Sequence, residues 1–180
     1  VYVSGNDVYA VGSESNGTVD IAKIWKNGVA TSLTNGSNNA RPLSLFVAGP
    51  NVYVTGYEFD PVTQPIAKIW KNGAVTNLTN GSHFASGYSI FVSGDDVYVA
   101  GVETTGINDE AKFWKNGVVT ALTNGTISEA NDVFVSGNDV YIAGYEKTGT
   151  NAVGKIWKNG VATSITDGTN RAYIASVFVK

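Results

Sequence analysis

The chain has 180 residues, 15% of them charged, and a formal net charge of −3. That length suffices for one domain with a sizeable core, while the scattered Lys and Arg do not form the clustered positive field of a nucleic-acid binder. The absence of cysteine excludes disulfides, thiol catalysis and thiolate metal sites, and no apolar run approaches the roughly 18–20 residues of a membrane span.

The first recognisable element is "VYVSGNDVYAVG" at Val1–Gly12, two strand-like runs around a short turn. It is followed by "AKIWKNG" at Ala22–Gly28. Both return in order: "LFVAGPNVYVTG" at Leu45–Gly56 with "AKIWKNG" at Ala67–Gly73, "IFVSGDDVYVAG" at Ile90–Gly101 with "AKFWKNG" at Ala111–Gly117, and "VFVSGNDVYIAG" at Val133–Gly144 with "GKIWKNG" at Gly154–Gly160. The second unit shows the full set most plainly, as "SLFVAG", "NVYVTGYE", "IAKIWKNG" and "AVTNLTNG", which we label runs a to d. Val, Tyr, Phe, Ile and Thr dominate these runs, and their apolar residues do not recur at helical spacing. Asn-Gly closes every c–d junction. It supplies the positive φ angles of a type I′ hairpin turn, whose twist matches the flanking strands.

All four tryptophans, Trp25, Trp70, Trp114 and Trp157, lie in run c, spaced by 45, 44 and 43 residues. Four strands in about 44 residues, repeated, is the period of a β-propeller blade. The fold class expected is therefore all-β, a β-propeller of four-stranded antiparallel blades. The repeats run approximately over residues 1–43, 44–88, 89–131 and 132–175, and residues 176–180 start a further strand a. The four indoles are expected to be buried and to fill the space between blades. Val1–Val3 and Val177–Val179 are the same strand of the repeat, and one blade has room for only one of them. The reading is a segment of a larger ring or assembly ahead of a closed four-bladed ring. Pairing of two chains into an eight-bladed ring is the third arrangement. The start at Val1 and the lack of Met point to a mature or trimmed piece of a longer product.

The "KIWKNG" and "SGNDVYIAGYE" patterns resemble the repeats of uncharacterised exported bacterial β-propeller proteins, many of them surface lipoproteins. The resemblance covers the whole chain and implies the fold and an extracellular or cell-surface, secreted setting. It implies no activity.

Variation among the repeats gathers in two places. The b–c segments are "SESNGTVD" at Ser13–Asp20, "FDPVTQP" at Phe59–Pro65, "TTGINDE" at Thr104–Glu110 and "KTGTNAV" at Lys147–Val153. The d–a segments are "SNNARP" at Ser37–Pro42, "SHFASGY" at Ser82–Tyr88, "TISEAN" at Thr126–Asn131 and "TNRAYI" at Thr169–Ile174. In an up-and-down blade both sets lie at one end, opposite the uniform a–b and c–d turns. Aromatic and Arg side chains anchor many interfaces, so Arg41, Phe59, His83, Phe84, Tyr88, Arg171 and Tyr173 are the candidate contacts for a protein or glycan.

Glu14, Glu58, Glu103 and Glu146 close strand b, and Lys23, Lys68, Lys112 and Lys155 open strand c. Because the Lys repeats in step with the Glu, these are read as cross-strand ion pairs and not as a catalytic ring. His83 is the only histidine and has no recognisable nucleophile beside it. Asp60 and the Asp109–Glu110 pair lack calcium-loop spacing, so no catalytic, cofactor or metal residue is assigned. The glycines at Gly12, Gly56, Gly101 and Gly144 suit close packing within strand b, and Asn-Gly-Ser/Thr at Asn16, Asn35, Asn80 and Asn124 is turn chemistry. The leading expectation is a non-catalytic extracellular or cell-surface binding module. The alternatives are a glycan-acting hydrolase or lyase, and a structural subunit of a larger surface complex. Self-association through the terminal strands is a further expectation.

Overall fold

The computed structural model describes all of residues 1–180. Sixteen strands form four sheets, each of four antiparallel strands in simple chain order. The first sheet contains β1 (Tyr2–Ser4), β2 (Asp7–Ser15), β3 (Asp20–Lys26) and β4 (Val29–Ser32). The second contains β5 (Ala40–Ala48), β6 (Asn51–Glu58), β7 (Ile66–Lys71) and β8 (Ala74–Asn77). The third contains β9 (Ala85–Ser93), β10 (Asp96–Thr105), β11 (Asn108–Lys115) and β12 (Val118–Ala121). The fourth contains β13 (Ser128–Ser136), β14 (Asp139–Thr148), β15 (Asn151–Lys158) and β16 (Val161–Ser164). The chain divides into two compact units, Val1–Ile90 and Phe91–Lys180.

The turns form as their residues dictate. Asn27, Asn72, Asn116 and Asn159 all have φ near +50°, each followed by a glycine with φ near +83°. Two consecutive positive φ angles define the type I′ geometry, which Asn tolerates because its side chain bonds locally.

Within the first unit, Trp70 packs with Tyr9 of the first sheet and with Leu45, Val47 and Val54 of the second. Within the second unit, Trp157 packs with Tyr98, Ala100 and Ala111 of the third sheet and with Val133, Val135 and Ile142 of the fourth. Strand b is buried on both faces in its middle, as in β6. This is why strict apolar–polar alternation is absent from the sequence. Strand d is exposed along its whole length in all four sheets. A four-residue edge strand is short enough to limit pairing with other chains.

Three features differ from the sequence expectation. Trp70, Trp114 and Trp157 are almost fully buried, but Trp25 is only half-buried. Its neighbour Ile24 packs with Val47, Val54 and Trp70 of the second sheet, so strand alternation turns Trp25 to the opposite face of the first sheet. Strand a is nine residues long in β5, β9 and β13, so the repeat boundaries at 43/44, 88/89 and 131/132 fall inside strands. A bulge between Pro42 and Ser44, repeated between Ala130 and Asp132, absorbs the irregular residues there. A bulge is one of the few places a sheet accepts proline. Lastly, two b–c segments read as loops are tight hairpins: Thr104↔Asp109 and Thr105↔Asn108 pair across Gly106–Ile107, and Thr148↔Asn151 pair across Gly149–Thr150.

Candidate functional site

The two ends of the sheets are built differently. At the turn end, each c–d Asn clamps the neighbouring a–b turn. The Oδ1 atoms of Asn27, Asn72, Asn116 and Asn159 accept the backbone N–H of Val8, Val52, Val97 and Val140 at 2.8–2.9 Å. Their Nδ2 atoms donate to Asp7, Asn51, Asp96 and Asp139 at 2.7–2.8 Å. In three repeats a lysine completes the network: Lys26, Lys115 and Lys158 reach Asp7, Asp96 and Asp139 at 2.7–2.8 Å. These three aspartates are held below the usual carboxylate range, first by the lysine and then by the asparagine. The same lysines, and Lys71, sit over a tyrosine ring at 5.0–5.3 Å, a cation–π contact. The repeated letters at this end are therefore explained by mutual hairpin locking, a structural role that sequence reading attributed to turn geometry alone.

The opposite end carries the variable segments. In the first unit, Tyr57 makes edge contacts with Phe59 and Phe84, ring centroids 5.6 and 5.9 Å apart. Phe59 is 43% exposed and Phe84 is half-buried, so the trio offers a partly open aromatic ledge. Arg41 stands directly across from Tyr57 in the β5–β6 register, with its guanidinium 4.0 Å from Asp20. Arg41 and Tyr88 lie within strands β5 and β9 and not in loops, and Tyr88 is half-buried. His83 is exposed. Asp60 Oδ1 accepts the N–H groups of Val62 and Thr63, so its carboxylate holds its own loop.

In the second unit, Tyr145 and Tyr173 meet edge to face at 4.6 Å. They line a cavity of about 200 Å³ together with Ile127, Lys147, Thr150, Ala152 and Arg171. Lys147, Arg171 and Tyr173 are exposed, and neither cation has a carboxylate partner. Glu129 of β13 pairs across the sheet with Tyr145 of β14. Burial raises the Glu129 carboxyl, and the Asp109 carboxylate adds to that rise against a hydrogen bond from Tyr145. Burial, then the charge of Glu129, raises the Tyr145 phenol. Sequence reading passed over this pair. The signal was that Glu129 holds an acid where the other a strands place Arg41, Ser86 and Tyr173.

The Glu–Lys pairs form in three repeats and exchange partners in one. Lys23 meets Glu14, Lys68 meets Glu58 at 2.6 Å and Lys155 meets Glu146 at 3.4 Å. In the third repeat Lys112 bonds Glu110 at 3.0 Å and not Glu103. Glu110 lies two residues away on the same strand and face, is buried, and also accepts the Gly125 N–H at 2.8 Å. Its local geometry outcompetes the cross-strand acid. Asp109 accepts the Thr104 hydroxyl at 2.5 Å.

Neither a protein-family model nor a curated protein matches the chain. Among solved structures it is similar to the β-propeller domain of the Trilobed protease from Pyrococcus furiosus, described as having an open velcro topology. The TM-score is 0.59 at 12% identity, over 92% of this chain and 50% of that one. The fold is that of a β-propeller. The chain spans about half the length of that structure.

Proposed function

We propose that the chain is a non-catalytic binding module of an extracellular or cell-surface protein, contacting a protein or glycan through its b–c/d–a end. The observation that carries this reading is the cavity of the second unit, where Tyr145 and Tyr173 stand beside the unneutralised Lys147 and Arg171. Aromatic rings offer flat apolar faces, and Arg forks suit carboxylate or sulfate oxygens. That chemistry favours an acidic glycan over a neutral one. The Phe59–Tyr57–Phe84 ledge adds apolar contact area in the first unit. A glycan array comparing wild type with Arg171→Ala/Tyr173→Ala, and with a control altered at the Lys-Asn-Gly turns, tests the proposal. Binding of acidic glycans by wild type and the turn control, but not by the cavity variant, is expected. Loss in the turn control alone refutes it.

Glu129 supports a second reading, a glycan-acting hydrolase or lyase. A half-buried carboxyl raised by burial beside another acid has the character of a general acid. Release of reducing ends from a bound glycan, lost in Glu129→Gln, would favour that reading over simple binding.

A further inference from the structure

The first unit also holds a cavity, between its two sheets and toward the turn end. It measures about 220 Å³. Ile24 of β3 and Leu33, just after β4, line it from the first sheet. Val54 of β6 and Trp70 of β7 line it from the second, each only 1% exposed. Asn72 and Gly73 of the Lys-Asn-Gly turn complete that side.

The repeat shows why space is left here. At the places of Ile24 and Val54 the second unit has Phe113 and Ile142. The Phe113 ring lies stacked on Tyr98, centroids 6.1 Å apart and planes 23° apart, and packs against the cluster around Trp157. Tyr9 is the counterpart of Tyr98, but Ile24 brings no ring to lay beside it. Val11 and Leu45 are larger than their counterparts Ala100 and Val133, yet neither lines the cavity, so they do not make up the loss. The first unit therefore lacks an aromatic ring at a place where the second unit has one. An apolar cavity of about 150 Å³ takes up benzene, so this one has room for a benzene ring and a substituent.

Most polar groups at the cavity already have partners. Lys26 pairs with Asp7 at 2.8 Å and lies over the Tyr9 ring at 5.3 Å. Asn72 Oδ1 accepts the Val52 N–H and its Nδ2 donates to Asn51, both at 2.8 Å. The one lysine charge is thus neutralised, which disfavours a charged ligand. The exposed hydroxyls of Thr31 and Ser32 remain. Thr31 stands opposite Ile24 in the β3–β4 register, on the same face of the sheet. A hydroxyl can both donate and accept, so this edge serves one polar substituent. A sugar would bring several hydroxyls to walls that are apolar, and each one left unbonded there is costly.

We infer that this cavity binds a small neutral phenol. Its ring occupies the room that Phe113 fills in the second unit, against Ile24, Val54 and Trp70, and its hydroxyl bonds Thr31. An apolar lining with few placed polar groups is the usual make-up of a small-molecule site. The site is separate from the variable end and does not rest on the glycan reading.

The probe is p-cresol, titrated calorimetrically into the full chain, with toluene and glucose as comparisons. Saturable binding of p-cresol at one site, weaker binding of toluene and none of glucose are expected. Ile24→Phe supplies the ring that the third repeat carries. It is expected to weaken p-cresol binding by about tenfold or more, while the urea midpoint holds or rises. Val54→Ile, which copies Ile142, should weaken binding in the same direction and keeps the test intact if Ile24→Phe folds poorly. Arg171→Ala/Tyr173→Ala should bind p-cresol as wild type does. A wild type without saturable p-cresol binding would overturn the inference. So would folded Ile24→Phe and Val54→Ile variants that bind as tightly as wild type, loss of binding in Arg171→Ala/Tyr173→Ala, or glucose bound in preference to p-cresol.

Discussion

Trp157→Ala isolates the contribution of the repeated indole. Trp157 is fully buried among Tyr98, Ala100 and Ala111 of one sheet and Val133 and Ile142 of the next. A large aromatic buries roughly 250 Å², which at about 25 cal/mol per Å² is about 6 kcal/mol. Residual burial in the unfolded chain brings this down to roughly 4–5 kcal/mol, in line with the about 3–5 kcal/mol typical of such truncations. With a urea m-value of about 2 kcal/mol per M, the midpoint should fall by about 2 M. Its indole N–H is buried without an acceptor, so the ring acts through bulk, and Trp157→Phe should lose less than half as much. Trp25→Ala, at a half-buried site, should lose about half as much as Trp157→Ala. Urea titration followed by far-UV circular dichroism reads all three. Equal losses at Trp25 and Trp157, or a shift at Trp157 below about 0.5 M, would refute the assignment of these indoles to the space between sheets.

Gly144→Ala should be strongly destabilising, because the new methyl would overlap the Glu129 carbonyl at 2.0 Å; thermal melts set against Gly12→Ala check this. Asn116→Ala should cost about 1–2 kcal/mol from the left-handed conformation alone, since Asn116 has φ +52°. Loss of its bonds to Val97 and Asp96 adds to that cost, whereas Asn116→Gly should recover the backbone part. Because burial raises the folded Glu129 carboxyl above the usual glutamate range, stability should fall as pH rises from about 4.3, the unperturbed glutamate value, through the higher folded pKa. Glu129→Gln should therefore melt higher than wild type at neutral pH, with the advantage gone below pH about 4. Melting curves across that range, without such convergence, would contradict the burial of this group.

Much of the architecture was legible in the order of residues. The four returns of Lys-Asn-Gly, the Gly-Asn/Asp turns and the even spacing of Trp25, Trp70, Trp114 and Trp157 are local signals, and the chain needs only local conformation to make hairpins of them. Their period then leaves few ways to stack the sheets. Strand d and the double-sided burial of β6 follow from the same pattern. Other features were decided only in three dimensions. Arg41 and Tyr88 looked like loop residues because a bulged strand interrupts its own apolar pattern, and Thr104–Glu110 looked like a loop because hairpin strands of polar residues carry no burial signal. Lys112 took Glu110 in place of Glu103 because proximity on one face, burial and a second donor outweighed the repeat. Glu129 and Tyr145, distant in sequence, became a pair through the β13–β14 register. Local dihedral preferences are written residue by residue, whereas the partner a side chain finds depends on register, bulges and the packing of neighbouring sheets, which no single segment contains.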